Sequence, residues 1–79
     1  MAEVPDFVLD AAHAAATHYS VATLSLFNPD QRRGVVAARK MVWRELRAII
    51  DVDGRPKHTL AQIAGWFGVT EGAVSRGVR

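Results

Sequence analysis

The sequence has no cysteine, which excludes disulfide staples and thiolate metal sites, and with them the usual framework of a small secreted scaffold. It has no apolar run approaching the roughly 20 residues that cross a bilayer as a helix. Its acidic start, Met1-Ala2-Glu3-Val4-Pro5-Asp6, is unlike the basic opening of a signal peptide. A soluble chain without targeting signal or membrane contact, in a reducing cytoplasm, is therefore expected. No glycine-rich loop ending in Lys-Ser or Lys-Thr is present to cradle a phosphate. Alternation of period two, internal repeats and low-complexity tracts are absent as well, so neither a sheet nor a solenoid is indicated.

Catalytic and metal chemistry also lack their residues. The histidines are few, and His13 and His18 stand five apart, which diverges around a helix, while His58 belongs to a loop. No metal site is expected from them. Asp51 and Asp53 read as parts of a solvated linker, and no nucleophile stands beside a base, so neither enzymatic activity nor a cofactor is expected. Aromatic residues make up only 8% of the chain. In so small a domain Trp43 and Trp66 are then needed in the core more than as surface anchors. With 79 residues the chain makes one domain, residues 1–79, with a modest core.

What is present is a separation of charge. Residues 1–31 carry Glu3, Asp6, Asp10 and Asp30 and not one lysine or arginine, a formal −4. Residues 32–79 hold all ten lysines and arginines against four acids, Glu45, Asp51, Asp53 and Glu71, a formal +6. A basic portion of this kind suits a polyanion, because phosphates neutralised by Lys or Arg release condensed counterions.

The spacing of apolar residues predicts an all-α chain, a compact bundle of about five helices. Pro5 suits a first helical turn, with Glu3 and Asp6 near the positive end of its dipole. Val8, Ala11, Ala15 and Tyr19, flanked by Phe7 and Ala12, form the inward stripe of this helix. Ser20 is positioned to cap a short second helix over 21–27. Asn28-Pro29-Asp30 then breaks the pattern, opening a basic loop over 28–34. The longest helix covers 35–50, with Val35, Ala38, Val42, Leu46 and Ile49 inward and Lys40, Arg44 and Arg47 on another face. Residues 51–58 read as a loop, Thr59 as the cap of a helix over 60–67, Gly68-Val69 as a break, and Thr70 as the cap of a last helix from Glu71 toward Arg79.

The run Leu60-Ala61-Gln62-Ile63-Ala64-Gly65-Trp66-Phe67-Gly68-Val69-Thr70-Glu71-Gly72-Ala73-Val74-Ser75-Arg76 resembles a helix-turn-helix of bacterial regulators, taken here to span 59–79. Ala64 is small where the helices cross, Gly68 allows a left-handed turn, and Ile63, Phe67, Val69 and Val74 fill the junction. The second helix would enter a major groove. Its outward residues Thr70, Glu71, Gly72, Ser75, Arg76 and Arg79 are the candidates for contact. Arg76 suits a guanine edge, Ser75 and Thr70 suit phosphate or base, and Glu71 suits a cytosine amino group. Gly72 reads nothing but permits close approach.

With the upstream helices added, the arrangement from about Val8 to Arg79 resembles the C-terminal DNA-binding domain of the bacterial replication initiator DnaA, a Trp-repressor-like helix-turn-helix. Tyr19-Ser20-Val21 is similar to that family's aromatic, small, β-branched step, and Leu26-Phe27 to the apolar end of its short helix. Gln31-Arg32-Arg33-Gly34, leading to Arg39, is similar to its basic loop and the arginine that follows. The resemblance implies that Arg32 or Arg33 enters the minor groove, where negative potential is concentrated, and that Arg39 contacts phosphate. The recognition helix diverges: Val69-Thr70-Glu71-Gly72-Ala73 stands where the family has Arg-Asp-His-Thr-Thr, so its recognition box is not carried over. The proline before Arg39 is absent, the turn differs by one residue, the pattern from Trp43 to Leu46 is looser and the loop at 51–58 is longer.

The expected function is sequence-specific binding of double-stranded DNA by a small, nucleoid-associated regulator of replication initiation or transcription, bacterial or phage. The expected DNA-binding residues are Arg32, Arg33, Arg39, Lys57, Thr59, Thr70, Glu71, Ser75, Arg76 and Arg79, with Lys57, and Arg55 or His58, as phosphate clamps. The alternative is a protein-interaction module that docks on a replication or transcription protein, using the acidic first helix where Asp10 and His13 are exposed. Monomer and homodimer both remain open.

Overall fold

In the computed structural model, which describes residues 3–79, the chain is all-helical, with no strand among the described residues. Met1 and Ala2, the first residues of the acidic start, lie outside the described residues. The elements are α1 (Asp6–His18), a 3₁₀ turn (Thr23–Phe27), α2 (Arg33–Ala48), α3 (Leu60–Phe67) and α4 (Glu71–Gly77). Their radius of gyration is 11.8 Å, close to that of any compact domain of this length. Among the described residues no helix is long and apolar enough to cross a membrane.

Helix α1 begins where Pro5 holds an extended conformation and Asp6 faces the dipole of the first turn. Its buried stripe is Val8, Ala12, Ala15 and Ala16, at spacings of three and four residues. The three alanines let α1 lie close along α2, the most extensive pairing of helices in the fold. Tyr19, expected on this stripe, is 39% exposed instead, because α1 stops one residue earlier.

The stop comes from Ser20, and here the sequence expectation is corrected. Ser20 does not cap a second helix at its N-terminus. It adopts φ 56°, and its N–H donates to Thr17 O while the N–H of Val21 donates to Ala16 O at 2.9 Å. That pair of bonds is a Schellman termination of α1, with serine in the left-handed position that usually takes glycine. The following element starts later than 21, at Thr23 behind Ala22, and winds as a 3₁₀ turn. Its Leu26 is fully buried.

Helix α2 buries Val35, Ala38, Arg39, Val42, Trp43 and Leu46. It ends at Ala48, two residues short of the expected Ile50, and Ile49 is 39% exposed rather than inward. The backbone explains this: Ile49 O accepts from Lys57 N and Asp51 N donates to Arg55 O, around a single antiparallel bridge between Ile50 and Pro56. Pinching the loop shut satisfies groups that a longer helix would have used.

Helices α3 and α4 follow the sequence closely. Thr59 Oγ1 accepts from Gln62 N at 3.0 Å and Gln62 Oε1 accepts from Thr59 N at 2.9 Å, a full capping box. Gly68 closes α3 with φ 66°, and Thr70 Oγ1 accepts from Ala73 N at 3.1 Å to open α4. Ile63, Ala64, Phe67 and Val74 are buried at the junction, where each fully buried aliphatic side chain contributes about 1.5–3 kcal/mol relative to exposure.

Candidate nucleic-acid interface

Helix α4 packs inward through Val74 and Gly77 and exposes Glu71, Gly72 and Arg76, with Arg79 exposed just beyond it and Ser75 half-buried. The Arg76 guanidinium leans back over Gly72: a β-carbon added there would lie 3.5 Å from Nη1. An open groove of about 390 Å³ lies between α4 and α2, with Gln31, Val36, Arg39, Lys40, Ala73 and Arg76 in its walls. A second groove beside it has walls of Gln31, Arg33, Val36, Ala37 and Lys40. The two grooves share Gln31, Val36 and Lys40. Arg33 and Arg76, 43 positions apart in the chain, are thus brought to one continuous surface with Lys40 between them.

Hydrogen bonding sorts the cations into two sets. Arg44 Nε donates to Gly77 O at 3.2 Å, placing a cation at the negative end of α4, and Arg47 Nη1 donates to His58 O at 2.8 Å. Arg32 is bound by Asp30, with Nη2 2.8 Å from Oδ2. That contact holds the Asp30 carboxyl below its ordinary value, chiefly through the hydrogen bond from the Arg32 side chain, and raises Arg32 in turn. Arg33, Lys40, Arg55, Lys57, Arg76 and Arg79 have no side-chain hydrogen bond or ion pair among the described residues, and their charge is free for a partner.

Arg39 belongs to neither expectation nor free set. It was expected to contact phosphate, but it is only 5% exposed. Its Nε donates to Leu26 O at 2.9 Å, and its Nη2 donates to Ser25 O at 3.1 Å and to Asn28 O. Burial lowers its pKa, opposed by the charge of Asp30. With Nε and Nη2 committed to three backbone carbonyls, Arg39 lines the groove beside Lys40 and Arg76 with only its Nη1 uncommitted, and its guanidinium serves the loop backbone in place of the expected phosphate contact.

His58 is corrected on similar grounds. It is 9% exposed and stacks on Phe7 with centroids 5.1 Å apart, while Trp66 meets it edge-on at 5.3 Å. Burial first, and the Lys57 charge second, push its pKa down, so it stays neutral and covered rather than clamping phosphate. Lys57 and Thr59 sit at the start of α3 and line neither shared groove. The hydroxyls of Thr59 and Thr70 accept backbone N–H groups in their caps, which leaves each hydroxyl proton to donate outward.

Trp43 is core, 5% exposed, and its Nε1 has no hydrogen-bond partner among the described residues. Trp66 is half-buried, edge-on to Phe7 at 5.7 Å. Sequence reasoning missed Lys40 and Gln31 as surface residues of the site. A signal for Lys40 was available, since Arg33 and Lys40 are seven apart and therefore share a helix face. Gln31 had none, because only packing of the loop against α2 and α4 brings it to the groove.

No protein-family model matches the chain, and no curated protein or solved structure matches it either.

Proposed function

We propose that the chain binds duplex DNA in a sequence-specific way, as a small regulator of replication initiation or transcription in the nucleoid. One observation carries this: Arg33, Lys40 and Arg76, unpaired among the described residues, line two adjoining grooves that share Gln31, Val36 and Lys40, one along the first turns of α2 and one between α2 and α4. A duplex presents phosphates on both sides of a groove, and cations from separate elements on one surface are the complement it needs.

On this reading α3 and α4 act as the helix-turn-helix and α4 enters the major groove. Arg76 grips a guanine edge through paired donors, and Ser75 and Glu71 face neighbouring bases. Arg32 or Arg33 lies at the adjacent minor groove, while Lys40, Lys57, Arg79 and the hydroxyl protons of Thr59 and Thr70 meet phosphates. Further support is the order of short helix, basic loop, long helix and helix-turn-helix, which resembles the DNA-binding domain of the DnaA initiator. The divergent α4 makes an accessory or competitor the better role than reading of the initiator's box.

The test is selection of bound sequences from a random duplex library, followed by affinity for the enriched and for scrambled DNA across a salt series. An enriched motif with an affinity gap of about 10³-fold or more, and a log–log salt slope of roughly −0.9 per phosphate contacted, is the expected result. Equal affinities for both DNAs at every salt concentration would remove the specific reader. Symmetry of the motif, with gel filtration, separates monomer from homodimer.

A second reading, docking on a replication or transcription protein, draws on a different surface. Leu9, Leu24, Phe27 and Trp66 line an apolar groove of about 500 Å³ beside the acidic α1, and Leu24 is 75% exposed. Exposed apolar area of that kind is common at protein contacts. It gains weight if the selection enriches nothing.

A further inference from the structure

The chain leaving the 3₁₀ turn has a problem that helix ends share: beyond the bond from Asn28 N to Ser25 O at 3.3 Å, its last carbonyls must find partners outside the element. Ser25 O, Leu26 O and Asn28 O all receive the guanidinium of Arg39, which reaches them from one and a half turns into α2. Asn28 O also accepts from Asp30 N at 2.8 Å. Asp30 Oδ1 then accepts from Arg32 N at 3.0 Å and from Arg32 Nε at 3.1 Å, and Arg32 Nη2 reaches back to Ser25 Oγ at 3.4 Å. The hydrogen bonds form a closed circuit, from buried Arg39 through Asn28 and Asp30 to Arg32 and back to Ser25. Pro29 and Gln31 are exposed, so no core packing substitutes for that circuit in the middle of the loop.

We infer that Arg39 is a positioning residue for DNA recognition, holding the loop 28–32, which ends two residues earlier than the sequence suggested because α2 opens at Arg33, in the shape that presents Arg32 and Arg33, and does not itself touch the nucleic acid. The inference rests on the proposed DNA reading for its effect on binding, and on the hydrogen-bond circuit alone for its effect on the loop. Arginine is required because its planar fork serves carbonyls lying in different directions at once, whereas a lysine ammonium is a point donor on a flexible stem.

The two roles predict opposite behaviour of Arg39→Lys. A phosphate contact survives that change, since the charge remains; a positioning fork does not. Binding of the selected duplex should weaken about tenfold in both R39K and R39Q. In a background carrying R32A and R33A, R39Q should cost less than about twofold more, because the cations it positions are gone and coupled residues are non-additive. Recovery of full affinity by R39K, or full additivity with the loop variants, would each overturn the inference.

A second measurement needs no DNA and separates failure here from failure of the DNA reading. Limited trypsin digestion of R39K and R39Q should cut after Arg32 or Arg33 about tenfold faster relative to Lys57 than in the wild type, because the loop opens locally. Equal acceleration at both places would mean global unfolding and would overturn the positioning role even if the protein binds DNA. Preferential cutting in the loop would uphold the circuit even if no duplex is selected.

Discussion

Gly77 faces the ring of Trp43 at a distance that no other residue allows. A β-carbon there would lie 2.6 Å from Cε3 and 2.9 Å from Cζ3. Trp43 is held on its other sides, among them by Phe67 edge-on at 5.9 Å, so the ring cannot swing away cheaply. The closeness sets α4 against α2 and with it the groove between Lys40 and Arg76. Gly77→Ala should therefore destabilise the fold by about 1–3 kcal/mol through overpacking, although alanine is the better helix former. Urea unfolding checks this, with Gly65→Ala as the contrast. Gly65 is exposed with nothing within 4 Å of an added β-carbon, and that change should stabilise by about 0.5–1 kcal/mol. Like signs for the two variants would refute the account of Gly77.

Ser20 holds a left-handed conformation, φ 56°, that glycine adopts without cost. Ser20→Gly should raise stability by about 1 kcal/mol, the strain relieved less the entropy added to the unfolded chain. In a domain of this size that is about 4–8 °C in Tm. A lower Tm would show that the serine side chain supports the turn in a way its backbone does not reveal.

His58 makes stability depend on pH with a definite sign. Its folded pKa lies below the ordinary 6.5 because burial disfavours the imidazolium and Lys57 repels it. The unfolded chain therefore binds the proton first, and the stability contributed by neutral His58 is complete above about pH 6.5 and is lost as the pH falls below that value toward the folded pKa. Denaturation midpoints measured from pH 7.5 to 5 should decline, and the decline should shrink in His58→Phe. The same slope in both proteins would assign it to another group.

Arg76 and Lys40 should behave differently toward DNA. Arg76→Ala is expected to cost about 1–3 kcal/mol on the selected duplex and to relax preference at one base pair, whereas Lys40→Ala should weaken all sequences alike and reduce the salt slope by about one. Affinities on cognate and scrambled duplexes across a salt series distinguish them. Uniform loss on both DNAs for Arg76→Ala would remove its base-reading role.

Much of the local structure was legible in the sequence because its causes are local. Thr59 and Gln62 stand at the spacing of a capping box, Gly68 at the place of a left-handed turn, and Thr70 at the cap of α4, and each does in the structure what its chemistry allows in any helix. The buried positions of α2 from Val35 to Leu46 follow from helical period in the same way. The separation of acid from base along the chain is equally a property of sequence alone.

Tertiary structure decided what the residues between those signals do. Ser20 and Arg39 carry side chains whose ordinary uses are capping and phosphate contact; the last turn of α1 itself determined the outcome for Ser20, and the backbone of another segment determined it for Arg39. The same holds for His58, enclosed by Phe7 from the far end of the chain. Charge and propensity are properties of a residue, but whether a cation faces solvent or a carbonyl depends on which helix packs over it. That packing brings Arg33, Lys40 and Arg76 to one surface while it ties Arg39 to the carbonyls of Ser25 and Leu26.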